Sequence, residues 1–172
     1  MIDSGGGSTE FIFGRNGKVN NAQSLDVGAV TLTDRFMLQS EVETEILEKA
    51  ERYLNDKFKG IKITSHLNII IGIGGTVTTI SAIIQKLELY SAEKVQGSII
   101  NLKDISKLEK ELSVKNLELK KSIIGLSPKR ADIILGGVLI IKSIIKKFGT
   151  TELVVCDNGL RYGLALTEWR RK

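Results

Sequence analysis

Eight residues near the start constrain this chain more than any others: Asp3-Ser4-Gly5-Gly6-Gly7-Ser8-Thr9-Glu10. An acid runs into three glycines, two hydroxyls and a second acid. Consecutive glycines let a backbone take positive φ and approach a ligand with no Cβ in the way. Such a turn can aim several N–H groups at one anion. Ser8 and Thr9 add hydroxyl donors. Asp3 and Glu10 suit a hard cation of the kind that accompanies a polyanion. Phe11-Ile12-Phe13 then reads as a strand. Asp3 is expected to end one strand, the glycines to form a hairpin, and Glu10 to begin the next. A bare hairpin is the plainer alternative, but it needs one or two glycines rather than three between acids.

A chain of 172 residues suits one domain and can bury about 70% of its unfolded surface. Its 42% apolar and 26% charged content is that of a soluble globular protein. The longest apolar run, Ile133 to Ile145, is interrupted by Lys142. It is too short for a bilayer and reads as a core helix. The start is acidic and glycine-rich, unlike a signal peptide. Cys156 is the only cysteine and His66 the only histidine. That excludes an internal disulfide and argues against a zinc site or a Ser-His-Asp triad. Cys156 lies in an apolar stretch and reads as a small core residue. These points favour the cytoplasm. Net charge is +5 with 5% aromatics, and no stacking platform for nucleic acid is visible. The modest positive field suits an anionic small molecule or polymer.

Phe11 to Phe13 and Val19 to Val27 read as strands of a meander, joined by Gly14-Arg15-Asn16-Gly17-Lys18. Leu25 to Val30 leaves the second strand and enters a helix. Ser40 and Glu43 form a capping-box pair for a longer helix. Val42, Ile46, Leu47, Ala50, Tyr53, Leu54 and Phe58 share one face of it, and Gly60 stops it. Leu67 to Ile73 reads as a central strand covered on both faces. Gly72-Ile73-Gly74-Gly75-Thr76 follows, then a helix with Val77, Ile80, Ile83, Ile84 and Leu87. A glycine turn between a buried strand and a helix N-terminus is a second expected ligand contact. It equally suits close helix–strand packing. It lacks the third glycine of a dinucleotide fingerprint, because Val77 stands there.

Val95 to Asn101 suits a further strand and Asp104 to Val114 a short helix. Residues 88 to 127 as a whole suggest a helical insertion. Ser127-Pro128 is a helix start, continued by Ala131, Ile134, Leu135, Val138, Ile141, Ile145 and Phe148. Gly136-Gly137 inside that helix implies close packing on a neighbour. Glu152 to Cys156 reads as the last strand. Asp157-Asn158-Gly159 turns into a final helix through Trp169.

This plan resembles one lobe of the actin-like ATPase (ribonuclease H-like) fold: α/β, a mixed sheet in the order β-β-β-α-β-α-β-α. The motifs resemble those of the Ppx/GppA family, the exopolyphosphatases and guanosine pentaphosphate phosphohydrolases. Asp3 to Glu10 is similar to the family's Asp-Ile-Gly-Gly-Gly-Ser-Thr-Glu. Ser24 to Phe36 is similar to its Ser-Leu-x-x-Gly-x-x-Arg-Leu-Thr-Glu-Arg-Phe. Gly74 to Ile80 matches its Gly-Gly-Thr-x-Thr-Thr-Leu turn. Arg130 to Gly137 and Asp157 to Gly163 fit two later segments. Ser4 replaces the usual isoleucine, Thr31 a usual arginine and Asn158 a frequent arginine.

The resemblance implies magnesium-assisted hydrolysis of a terminal phosphoanhydride. Asp3 and Glu10 would serve the metal and the attacking water. Gly5, Gly6, Gly7 and Ser8 would grip phosphate. Gly74, Gly75 and Thr76 would line the cleft near the terminal phosphates or the guanosine end of a nucleotide. Polyphosphate and guanosine pentaphosphate stay open as substrates. The family's first lobe carries its own phosphate loop and a Gly-x-Glu-Glu-Ala-Arg segment with a catalytic glutamate. Neither is in this sequence, nor is a C-terminal extension. Residues 1–172 are therefore expected to be a single domain, the second lobe of such an enzyme. It reads as a truncated gene product or excised domain, inactive or weak alone, with the first lobe as partner. Its exposed interlobe face would leave room for a homodimer. The competing readings are a non-catalytic phosphate-binding or oligomerisation module and, less favoured, a small-molecule kinase lobe.

Overall fold

The computed structural model describes residues 1–62 and 69–169. A six-stranded mixed sheet organises them. The meander is β1 (Ile2–Ser4), β2 (Thr9–Arg15) and β3 (Lys18–Leu25), paired antiparallel. Next to β1 runs β4 (Ile71–Ile73), parallel to it, and then β6 (Glu152–Val155), parallel to β4. The far edge is β5 (Ile99–Asn101), antiparallel to β6. The helices are α1 (Ala29–Phe36), α2 (Thr44–Phe58), α3 (Gly75–Ile84), α4 (Ala92–Val95), α5 (Leu102–Ser113), α6 (Leu117–Lys121), α7 (Ile134–Lys147) and α8 (Leu160–Trp169). This is the mixed α/β plan of an actin-like ATPase lobe.

The centre of the core is α7. Every residue from Ile134 to Ile145 is buried, as expected of a helix apolar on all sides. It packs against α1, α2, α3 and α5 together. Two glycines make the closest of these contacts possible. A Cβ on Gly136 would lie 2.8 Å from the Ala29 carbonyl oxygen, and one on Gly137 2.5 Å from Thr76 Cγ2. Packing therefore offsets their helix cost of about 1 kcal/mol each. It also seats the start of α3 on α7. Under the meander, the Phe11 and Phe58 rings meet edge to face at 5.6 Å. Each is fully buried, which contributes about 1.5–3 kcal/mol per side chain.

Local signals misplaced several boundaries. The second meander strand ends at Leu25, because the Val27 N–H turns back to the Leu25 carbonyl. Ser40 and Glu43 form no capping box: Glu43 is the N-cap of α2 without a side-chain bond, and the Ser40 hydroxyl donates to Glu41. Ala50, Leu54 and Phe58 are the buried stripe of α2, as their spacing predicts. Of the expected strand over 67–73, residues 67 and 68 lie outside the described residues. The segment 88–127 is not purely helical, since it supplies the edge strand β5. The strand expected from Val95 begins only at Ile99, after α4. Pro128 starts a single 3-10 turn, and α7 begins at Ile134. Cys156 lies just past β6 and is half-buried.

A buried lysine ties α6 to the loop after α1. Lys120 is 0% exposed. Its ammonium donates to the carbonyls of Leu38, Gln39 and Ser40 at 3.1, 3.0 and 2.8 Å. Burial pushes its pKa down to about 8. Among the described residues no helix is long and apolar enough to cross a membrane.

Candidate active site

Asp3 and Glu10 are direct partners across the antiparallel β1–β2 pair. Partners in such a ladder project to the same face. Ile2, Ser4, Thr9 and Phe11, which alternate with them, are buried on the other face. The two carboxylates thus stand together, off the core. Glu10 Oε1 accepts hydroxyl bonds from Ser8 at 2.7 Å and from Ser24 at 2.9 Å. These bonds hold its carboxylate in one orientation. Burial and then the charge of Glu10 raise the Asp3 pKa.

That pKa has a sign that can be tested. Between 3.8, the ordinary value, and its raised folded value, the folded chain binds more protons at Asp3 than the unfolded chain. Stability therefore falls as pH rises through this window. Asp3→Asn should raise the melting temperature of the metal-free chain at pH 7. Glu10→Gln should move the Asp3 titration, read by carboxyl carbon NMR, part of the way back toward 3.8. An unmoved Asp3 titration would mean that the two acids are not coupled.

The glycine turn closes with the Gly5 N–H bonded to the Ser8 carbonyl at 3.0 Å. None of Gly5, Gly6 and Gly7 has positive φ. The expected need for left-handed backbone is therefore not what puts glycine here. Packing within the chain does not require it at two of the three positions. A Cβ on Gly5 would meet only the Ser8 carbonyl oxygen, at an ordinary 3.5 Å, and one on Gly7 would meet nothing within 4 Å. The space over the turn is open. The two hydroxyls differ: Ser8 lies beside Glu10, whereas Thr9 is buried and donates to the Val27 carbonyl at 2.6 Å.

The second glycine turn meets the first. Gly74 caps α3 with φ +87°, a conformation that strongly favours glycine. A Cβ there would also overlap Asp3 Oδ1. A Cβ on Gly75 would overlap the guanidinium of Arg130. Asp3 and Arg130 therefore lie over consecutive residues at the N-terminus of α3, which no side chain caps. Thr76 is buried, with its methyl toward Gly137. So Asp3, Glu10, Ser8, Gly74 and Gly75 come together, while Thr76 faces the α3–α7 contact.

Beyond Arg130 runs an open groove of about 480 Å³, with Thr78, Tyr90 and Ser127 on its wall and Leu87, Leu126 and Pro128 among its apolar lining. Arg130 makes no ion pair among the described residues. The Tyr90 hydroxyl donates to Asp157. Burial, then that bond and the Asp157 charge, push the tyrosine up to about 12. Arg130, Thr78, Tyr90, Asp157 and Ser24 were not picked out as site residues by sequence. Arg130 was within reach, because it opens the segment before the apolar helix. Tyr90 and Asp157 are 67 positions apart, and although Asp157 opens a family-like segment, nothing local pairs the two.

The sequence and the fold both have relatives among known proteins. The profile of the Ppx/GppA phosphatase family matches residues 1–172.

The chain belongs to the Ppx/GppA phosphatase family.

A bifunctional 3-dehydroquinate synthase/phosphatase of Fusobacterium nucleatum is 35% identical over 170 residues, 96% of this chain and 25% of the relative. Exopolyphosphatase 2 of Mycobacterium tuberculosis is 26% identical, over 97% of this chain and 54% of the relative. The Ppx/GppA family member of Aquifex aeolicus superimposes with a TM-score of 0.91 at 31% identity, over 99% of this chain and 55% of that one. This Ppx/GppA chain thus spans about half or less of the length of the relatives it matches.

Proposed function

We propose that this chain is the second lobe of an exopolyphosphatase or guanosine pentaphosphate phosphohydrolase, a single domain that carries half of the active site. One observation supports this most: Asp3 and Glu10 share a face beside an open glycine turn, at the uncapped N-terminus of α3. Phosphoryl transfer to water needs little covalent help from a protein. It needs the phosphate held, its oxygens neutralised and the water placed in line.

The residues fit those tasks. The Gly6 and Gly7 amides hold the terminal phosphate, while the Gly5 N–H closes the turn and the Ser8 hydroxyl is committed to Glu10. Arg130 and the N-terminus of α3 answer the negative charge of the phosphates that follow. Glu10, fixed by two serine hydroxyls, orients the attacking water and receives its proton. The water oxygen bonds to the terminal phosphorus, the bridging P–O bond breaks, and orthophosphate leaves a shortened chain.

The donor set also fits magnesium. Two carboxylates on one face, one of them with a raised pKa, suit a hard cation that keeps most of its waters and shares phosphate oxygens. Asp3 and Glu10 would hold it, and when bound it would neutralise charge on the phosphate.

The relatives' greater length supports a separate first lobe as partner. So do the exposed Tyr162, Leu164 and Trp169 of α8, an apolar surface of the kind that marks an interaction site. A copy of the same chain on this surface would make a homodimer, and the cytoplasm is the compartment we assign to it.

The test is reconstitution. The chain alone should release little phosphate from long-chain polyphosphate with magnesium. Adding the first lobe in trans should raise the rate and change the fluorescence of Trp169, the only tryptophan. Rapid unaided turnover would overturn the half-site reading. Polyphosphate binding without turnover in the reconstituted pair would make the chain a non-catalytic phosphate-binding module.

A further inference from the structure

The amides at the start of α1 are not free. The Ala29 N–H donates to the Gly5 carbonyl at 2.9 Å, and those of Val30 and Thr31 donate to the Gly6 carbonyl at 2.9 and 3.2 Å. Helix starts ordinarily satisfy these groups with a side chain, water or a ligand. Here the glycine turn itself does so. Gly28 makes the approach possible. Its φ of −135° and ψ of 175° are open to any residue. Space is the constraint: a Cβ would overlap the Gly6 carbonyl and lie 2.6 Å from the Gly7 nitrogen.

The consequence follows from peptide planarity. In a trans peptide the C=O and the N–H point in opposite directions. Fastening the Gly5 carbonyl to α1 turns the Gly6 N–H away from α1. Fastening the Gly6 carbonyl does the same to the Gly7 N–H. Neither amide has an acceptor among the described residues. The Thr9 hydroxyl bonds to the Val27 carbonyl just before α1, so the helix enters on the Thr9 side of the hairpin. Glu10 and its partner Asp3 occupy the other side. The two amides therefore face the carboxylates.

We propose that the first turn of α1, seated on Gly28, is a positioning device that aims the Gly6 and Gly7 N–H groups at a phosphate oxygen. It extends the α1 dipole by two aligned peptide units, so that an anion at the turn meets the positive end of a helix it never touches. The proposal rests on the reading of the turn as a phosphate site. Gly28, Ala29 and Val30 act through the turn and contact no substrate.

The test uses the ¹⁵N,¹³C-labelled 172-residue chain titrated with inorganic tripolyphosphate. In the unaltered chain the Gly6 and Gly7 amide signals should shift on binding. The scalar couplings across the Ala29–Gly5 and Val30–Gly6 hydrogen bonds should grow. Ala29→Pro removes one donor at a helix position that tolerates proline, and it should weaken binding by about tenfold, the effect of a hydrogen bond that supports a charged ligand. Far-UV circular dichroism should be unchanged. Gly28→Ala should displace the Gly6 carbonyl and lower the affinity at least as much, and Ala29→Ser, which keeps the donor, should bind normally. No amide shift at Gly6 or Gly7 in the unaltered chain would overturn the phosphate reading and this proposal together. Normal binding by Ala29→Pro and Gly28→Ala, or couplings that stay constant on binding, would overturn the positioning role and leave the phosphate site standing.

Discussion

Glu10→Gln in the reconstituted two-lobe enzyme should lower phosphate release from polyphosphate by about 10²–10⁴-fold, the usual contribution of a positioned general base. The amide keeps the shape of the side chain and can still accept from Ser8 and Ser24. What it loses is the ability to take a proton and the negative charge that faces Asp3. The loss should appear in kcat and much less in KM, because the glycine turn that grips the phosphate is unchanged. Ser24→Ala is the informative companion. It removes one of two hydroxyls on Glu10 Oε1, so it should cost only a fraction of the Glu10 effect. Equal losses in both variants would mean that the serines, rather than the carboxylate, carry the step. A Glu10→Gln enzyme with normal kcat would remove Glu10 from the chemistry.

The glycine turns could be read from sequence because their signals are local. A hairpin with three glycines leaves one plausible register, and that register makes Asp3 and Glu10 partners. The turn at Gly74 was likewise visible, because an apolar strand ran into glycines and then into helix periodicity. The reason for the glycines is only half legible: the sequence suggests positive φ and room for a ligand, and the first does not hold. The structure shows normal φ at Gly5–Gly7 and an anchoring helix that needs Gly28 to come close. A single sequence does not report that the Gly6 carbonyl meets a helix start some twenty positions on. The Ser127-Pro128 start was misjudged for a similar reason. Its cap signal is local, but the following turn sets Arg130 over Gly75, and the regular helix begins only beyond it at Ile134. Tyr90–Asp157 and Lys120 with its three carbonyls escaped altogether, because each joins segments distant in the chain.

The second large effect lies in the core, away from any ligand. Lys142 on α7 is buried and donates to Glu51 of α2 at 2.6 Å and to Glu109 of α5. Lys146 adds a weaker contact to Glu51 at 3.7 Å. Lys142→Ala should destabilise the chain by about 3–5 kcal/mol, because it strands a buried carboxylate at Glu109. A surface lysine would cost less than about 0.5 kcal/mol. The pH dependence separates the two cases. Burial alone would lower the Lys142 pKa, but the bonds and charges of the two glutamates outweigh it and raise the value above 10.5. Its contribution is present below 10.5 and is lost as pH rises through the folded value. Burial alone would raise the Glu51 pKa, but Lys142 and Lys146 outweigh it and bring the value below 4.5. Its contribution is present above 4.5 and is lost as pH falls through the folded value. Urea unfolding of the two proteins should therefore differ most across neutral pH, with the gap narrowing in acid and in strong alkali. Pairing Lys142→Met with Glu109→Leu should recover most of the loss, since an apolar pair of similar volume avoids the cost of desolvating two charges. If Lys142→Ala costs under about 1 kcal/mol at pH 7, the ammonium is hydrated rather than enclosed. The joint between α2, α5 and α7 would then be held by its apolar contacts alone.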